Sequence, residues 1–274
     1  MQRIALFGYG NMGAAFGQAL HRSFPGISIM VAEVDRGRAD AAVREIDARI
    51  IMPDKLSEPN ALAALDDFQP EVILLAVKPF QFSQLSVALR AYCRNSIVIS
   101  LMAGVGLATL EAGLGTTRIV RFLPNLAAAY GKSVTAVTPH ASVPAEDLET
   151  ATAVAESAGT AVLLPEDQIS SLIGISGSGI AFAFQFLHAL SLAGTQAGIS
   201  YPRSLEIAIS TLEGAAAAVR ESGIHPAEYV TRVCSPQGTT IQGIAALEKH
   251  GFTASVMHAV HDTVQRSRDM EKEH

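Results

Sequence analysis

Arg3-Ile4-Ala5-Leu6-Phe7-Gly8-Tyr9-Gly10-Asn11-Met12-Gly13-Ala14-Ala15-Phe16-Gly17-Gln18-Ala19-Leu20 is the stretch whose reading decides the fold. Its first five residues are a short apolar run, as in a buried strand, and the run from Ala14 has the composition of a helix. Between them stands G-x-G-x-x-G, in the strand–turn–helix setting that gives this pattern meaning. The first glycine makes the tight turn, the second lets a pyrophosphate approach the backbone, and the third lets helix pack on strand. Gly8, Tyr9, Gly10, Asn11, Met12 and Gly13 are therefore candidate dinucleotide-binding residues.

A second strand is expected over residues 27–32, and Glu33 closes it at the distance where an acid accepts adenosine ribose hydroxyls and favours NAD. Arg36 and Arg38 follow at once and suit a 2′-phosphate, favouring NADP. The choice between NADH and NADPH stays open at this point. Further strands are expected over 71–77, 96–100, 118–122, 134–137 and 160–163. Helices are expected around 60–67 and over 80–90, 107–112 and 145–157. Strands alternating with helices predict an α/β fold with a parallel, doubly wound sheet, whose ligands lie beyond the carboxyl ends of the strands. Lys78, Gly104 and Asn125 each stand just past such an end.

No strand is expected beyond Pro165. Helical stretches are read over 180–198, 203–222, 226–234, 238–250 and 253–270. The predicted organisation is a dinucleotide-binding domain over 1–164 and an all-helical domain over 165–274. The run from Gln168 to Pro202 holds no Asp, Glu, Lys or Arg, which raises the question of a membrane span. Gly174, Gly177 and Gly179 are expected to break it, and Gln185, His188 and Gln196 interrupt the remainder, so a helix buried within a soluble assembly fits better. A helix without charge on any side needs cover, which predicts a second copy of the chain and hence a homodimer or larger homo-oligomer.

The turn Cys234-Ser235-Pro236-Gln237-Gly238-Thr239-Thr240 opens one of these helices. Ser235 suits an N-cap and Pro236 a first helical position, with Gly238 leaving room for a ligand. A helix start offers unpaired N–H groups and partial positive charge, and with no Lys or Arg in the turn the expected anion is a small carboxylate. An ordinary capped helix is the plain alternative.

Composition narrows the rest. A net charge of -6 and a pI near 5.7 argue against a nucleic-acid surface. Two cysteines, Cys93 and Cys234, make neither a disulfide framework nor a metal site, and the eight histidines are scattered; no metal is expected. Met1 runs straight into the first strand with no signal peptide, which predicts a cytoplasmic protein without membrane attachment.

Several motifs now fall together. Gly8 to Gly13, Ala76-Val77-Lys78-Pro79, Ala103-Gly104-Val105, Arg121-Phe122-Leu123-Pro124-Asn125, Ser176-Gly177-Ser178-Gly179, and Ser235 to Thr240 with Gly251-Phe252 stand in the order of the pyrroline-5-carboxylate reductase family, which the whole chain resembles. The resemblance implies a Rossmann-type domain followed by a helical dimerisation domain. It also implies reduction of a cyclic imino acid, 1-pyrroline-5-carboxylate, by NADPH or NADH to give proline. It adds Asn60, Ala76, Val77, Lys78, Pro79, Ala103 and Gly104 to the cofactor set, beside Glu33 and Arg36. It assigns the substrate carboxylate to backbone N–H groups at Ser235, Gly238 and Thr239, and gives Thr240 the ring nitrogen and the catalytic role. Glu166, Asn125 and Ser176 are further candidate substrate contacts.

This chain departs from the family pattern in having Gln237 for the first glycine of Ser-Pro-Gly-Gly, Ile180-Ala181-Phe182 for Pro-Ala-Tyr, and Leu126 for the threonine of Met-Pro-Asn-Thr. Two rival readings follow. One is an oxidoreductase for another cyclic imine or a hydroxyacid, although the hydroxyacid type needs a catalytic lysine and none lies between Lys132 and Lys249. The other is a dinucleotide-binding paralogue that has lost turnover.

Overall fold

The computed structural model describes residues 1–52 and 62–272. The first part alternates β1 (Arg3–Phe7), α1 (Asn11–Ser23), β2 (Ser28–Ala32), α2 (Arg36–Ile46), β3 (Arg49–Ile51), α3 (Ala64–Phe68), β4 (Val72–Leu75), α4 (Phe82–Leu89), β5 (Ile97–Ser100), α5 (Leu107–Leu114) and β6 (Ile119–Leu123). It closes with β7 (Ser133–Pro139), α6 (Ala145–Ser157) and β8 (Gly159–Leu163). The strands form one eight-stranded sheet in the order β3-β2-β1-β4-β5-β6-β7-β8.

Strand alternation sends Ile4, Leu6, Val31, Leu74, Ile99 and Phe122 into one apolar layer with Phe16 and Leu20 of α1 and Val154 of α6. Phe7, Ile73, Leu75, Val98 and Ile119 enter a second layer with Leu65, Leu85 and Leu110 of α3, α4 and α5. Both faces are covered, which is why these strands read as nearly unbroken apolar runs.

Three features differ from expectation. The sheet is not wholly parallel, because β7 runs antiparallel to β6 with Phe122 opposite Val137. The link between them holds only a short 3-10 turn, Leu126–Tyr130, too brief for the crossover that a parallel neighbour needs. Helix α2 and strand β3 had no counterpart in the sequence reading. Asp35 caps α2 by accepting the Arg38 N–H at 2.9 Å, and Asp47 ends it at φ 51°. Finally, Gly174 and Gly177 do not break the chain from Glu166. A 3-10 turn (Glu166–Gln168) leads into α7 (Ile169–Leu172) and a π-helical turn (Ile173–Gly177), the kind of irregularity often found at functional sites.

The helical remainder is α8 (Gly179–Gln196), α9 (Tyr201–Ser222), α10 (Pro226–Val233), α11 (Thr239–Lys249) and α12 (Phe252–Lys272), with no strand among the described residues. The chain divides into two compact units, Met1–Gly177 with the segment from Arg266, and Ser178–Gln265. In the second unit α8 and α9 pack through small residues. A Cβ on Gly194 would sit 2.9 Å from that of Ser204, and Ser191 and Ala208 are buried beside them. Alanines 215–217 of α9 are exposed in the single chain. The helical path Glu166–Gln196 is long and apolar enough to cross a membrane by length and composition. Phe184 and Leu192 on α8 are half exposed.

Candidate functional site

The Gly8–Gly13 turn is built by contacts among the ends of β1, β2 and β4 and the start of α1. Gly8 sits at φ +91°, and a Cβ there would lie 2.9 Å from the Ala76 carbonyl oxygen. At Gly13 a Cβ would overlap the Gly8 carbonyl oxygen and touch the Ala76 Cβ at 3.3 Å, so only glycine lets α1 pack this close. Gly10 differs. It is the N-cap of α1 without a side-chain cap bond, and the nearest atom to its hypothetical Cβ is Arg38 Nη1 at 3.9 Å. The start of α1 thus has no side-chain cap and has the Arg38 guanidinium beside it, and a helix start of this kind suits an anion.

Glu33 is found at this turn, but buried. Its Oε2 accepts the Tyr9 N–H at 2.7 Å, and its Oε1 accepts those of Val34 at 2.8 Å and Asp35 at 2.9 Å. The carboxylate thus ties the glycine turn to the end of β2, and a ribose hydroxyl would have to share Oε2. The Tyr9 ring lies in the core, its hydroxyl bonded to Glu45 at 3.0 Å; burial and that carboxylate push its pKa upward. Of Tyr9 only the backbone belongs to the turn. Asn11, Arg36 and Arg38 are exposed, while Met12 packs on the core. Asn60 lies outside the described residues.

Further along the same sheet edge, Ala76 N–H bonds the Phe7 carbonyl at 2.8 Å. Lys78 is exposed, its N–H held by Gln81 Oε1 at 3.0 Å across the short 3-10 turn that Pro79 opens. Ala103 is exposed, and Gly104 turns the β5–α5 loop at φ +78°. Glu166 reaches this loop. Its Oε1 accepts the Leu107 N–H at 2.8 Å and Arg121 Nη1 at 2.9 Å. Asn125 and Ser176, both buried, bond each other at 2.9 Å, and Asn125 also accepts the Ala127 N–H at 3.1 Å. Of the proposed substrate contacts in this unit, Asn125 and Ser176 are brought together, and Glu166 stands among partners of its own. Arg121 stands among apolar residues on β6, which is the sequence signal of its special role.

In the second unit the turn before α11 corrects the capping expectation. The helix begins at Thr239, its N-cap is Gly238 at φ -72° and ψ 169°, and no side chain caps it. Ser235 and Pro236 belong to a preceding tight turn closed by Gly238 N–H to the Ser235 carbonyl at 3.0 Å. Gln237 sits in that turn at φ 59°, a left-handed conformation unfavourable to side-chain-bearing residues. The helix therefore starts three residues later than the expected cap at Ser235 and first position at Pro236. Ser235, Gln237, Thr239 and Thr240 are exposed, and a shallow cavity of about 350 Å³ opens between Val230, Cys234, Gln237 and Ile241. A larger cavity of about 790 Å³, lined by Arg94, Glu111 and Arg118, opens at the amino ends of β5 and β6, away from the sheet edge where ligands bind.

Fold and turn together define a dinucleotide-dependent oxidoreductase of Rossmann type with a helical C-terminal part. A family model described as pyrroline-5-carboxylate reductase dimerisation matches residues 166–270, and one described as NADP oxidoreductase, coenzyme F420-dependent, matches residues 3–104. The pyrroline-5-carboxylate reductase of Aquifex aeolicus is 32% identical over 269 residues, covering 98% of this chain and 97% of that one. That of Methanosarcina acetivorans is 35% identical over 276 residues, with 99% and 98% covered. The solved structure of the Coxiella burnetii enzyme superposes with a TM-score of 0.87 at 26% identity, covering 97% of each chain. The chain belongs to the pyrroline-5-carboxylate reductase family.

Proposed function

We propose that this protein reduces 1-pyrroline-5-carboxylate to L-proline with NADPH or NADH as donor. The observation that carries the cofactor half is the uncapped start of α1 at Gly10, where a Cβ would meet only the Arg38 guanidinium at 3.9 Å, whereas Gly8 and Gly13 are packed against the backbone and Ala76. Residues 1–164 form the dinucleotide-binding part and 165–274 the substrate and dimerisation part. The reduced nicotinamide, when bound, supplies the hydride for the C5=N bond.

The chain's own residues bind and orient. The N–H groups at the start of α1 receive the pyrophosphate, and Lys78, Pro79, Ala103 and Gly104 border the nicotinamide half. Arg36 and Arg38 stand where a 2′-phosphate is read. In the second unit the N–H groups of Ser235 and Thr239 hold the substrate carboxylate at the positive end of α11, with Gly238 lining the seat while its own N–H stays on the Ser235 carbonyl. The Thr240 hydroxyl bonds the ring nitrogen, steadying its proton while electron density arrives there. A protonated imine is already a good hydride acceptor, so positioning accounts for most of the catalysis and no general-base histidine is required. A second copy of the chain covers the apolar faces of α8 and its neighbours, giving a homodimer or larger homo-oligomer in the cytoplasm. Loss of NADPH or NADH absorbance that depends on added 1-pyrroline-5-carboxylate tests the reading, and a protein that binds the dinucleotide yet shows no imine-dependent oxidation would overturn it.

A further inference from the structure

Arg121 is an expensive residue where it stands. It lies on β6 on the same face as Ile119, is only 4% exposed, and pairs across the sheet with Ser100 on β5 and Thr138 on β7. Among the described residues its Nε has no partner, and neither does the Thr138 hydroxyl opposite. An apolar side chain would avoid desolvating a guanidinium here, so a stability role alone does not account for the arginine. Its Nη1 bonds Glu166 Oε1 at 2.9 Å, and that same oxygen accepts the N–H of Leu107, the first residue of α5. Gly106, the N-cap of α5, has no side chain to cap with, and a Cβ there would come within 3.3 Å of Glu166 Oε1. Glu166 thus supplies the cap from 59 residues away in sequence, and Arg121 fixes the carboxylate from the sheet side.

The loop so held is Leu101–Gly106. Its near end is tied by Leu101 N–H to the Leu75 carbonyl at 2.8 Å and by Met102 N–H to Ser100 Oγ at 3.3 Å. Its far end depends on Glu166. Between them Gly104 makes its turn, and a Cβ there would meet nothing. We infer that Glu166 and Arg121 are a positioning pair that sets this loop in the shape that receives the nicotinamide half of the cofactor. This inference rests on the proposed placement of Ala103 and Gly104 beside that half. It gives Glu166 a different task from a substrate contact.

The test is binding of NADPH, followed by nicotinamide fluorescence, against binding of the 2′-phospho-ADP-ribose fragment that lacks the nicotinamide. Glu166→Gln keeps the shape but removes the charge that orders Arg121, and should weaken NADPH binding roughly tenfold while leaving the fragment unchanged. Gly106→Ala leaves both charged groups in place and crowds only the carboxylate, so it should act in the same direction more mildly. Because Gly106 has φ and ψ open to alanine, it gives a result even where a change at the buried arginine fails to fold. Equal loss of NADPH and fragment would mean general damage and overturn the inference. So would unchanged NADPH binding with a raised KM for 1-pyrroline-5-carboxylate, which would make Glu166 a substrate ligand. These binding measurements need no turnover, so failure of the reductase reading is seen separately in the absorbance assay.

Discussion

The Glu33 carboxylate receives the Tyr9 backbone N–H at 2.7 Å, joining the end of β2 to the middle of the glycine turn. With Val34 and Asp35 also donating to it, this buried side chain satisfies three N–H groups that no strand partner reaches. Glu33→Ala should therefore lower stability by about 2–3 kcal/mol, since bonds to a charged acceptor are the stronger kind and their donors would be orphaned. Denaturant unfolding checks the figure, and Glu33→Gln should lie between the variant and the parent.

Gly10 and Gly13 should behave differently under the same substitution. Gly10→Ala meets no protein atom closer than 3.9 Å and should fold normally while losing dinucleotide affinity. Gly13→Ala overlaps the Gly8 carbonyl oxygen, so α1 must shift and the melting temperature should fall sharply. Circular dichroism melts beside NADPH titrations separate the two.

Gln237→Gly should stabilise the protein by about 0.5–1 kcal/mol, because a side-chain-bearing residue at φ 59° carries a left-handed strain that glycine does not. Turnover should equal or exceed the parent's. A more stable but slower variant would show that the glutamine amide binds substrate.

Thr240→Val should impair reduction of 1-pyrroline-5-carboxylate by roughly 12- to 150-fold, the worth of one hydrogen bond to a charged group, with NADPH affinity nearly unchanged. Thr240 is exposed at the start of α11, so the fold should survive. Steady-state kinetics and melting curves on one preparation give both answers.

Burial pushes the Cys93 thiol up to about 12, so almost no thiolate exists at mildly alkaline pH. Cys93 should resist alkylation in the native protein and react only after denaturation, which peptide mass mapping would reveal.

What the sequence determined by itself was what depends on local pattern. Apolar runs at β1, β4 and β5 marked buried strands, because a sheet covered on both faces leaves no polar alternation. The glycines of residues 8–13 marked the turn, because at Gly8 and Gly13 only glycine tolerates the contacts. Most helices of the second half were legible from stop and start residues, such as Gly223 ending α9 and Pro226 opening α10. The family motifs carried the membership that full-length comparison now shows. Tertiary structure decided whatever depends on partners distant in the chain. Strand β7 turned antiparallel because its link is too short to cross over. Glu33 became a backbone anchor because the glycine turn lies beside β2 in space. Glu166, 45 residues beyond Arg121, became the cap of α5, since a side chain's bonding depends on which donors the fold brings within 3 Å.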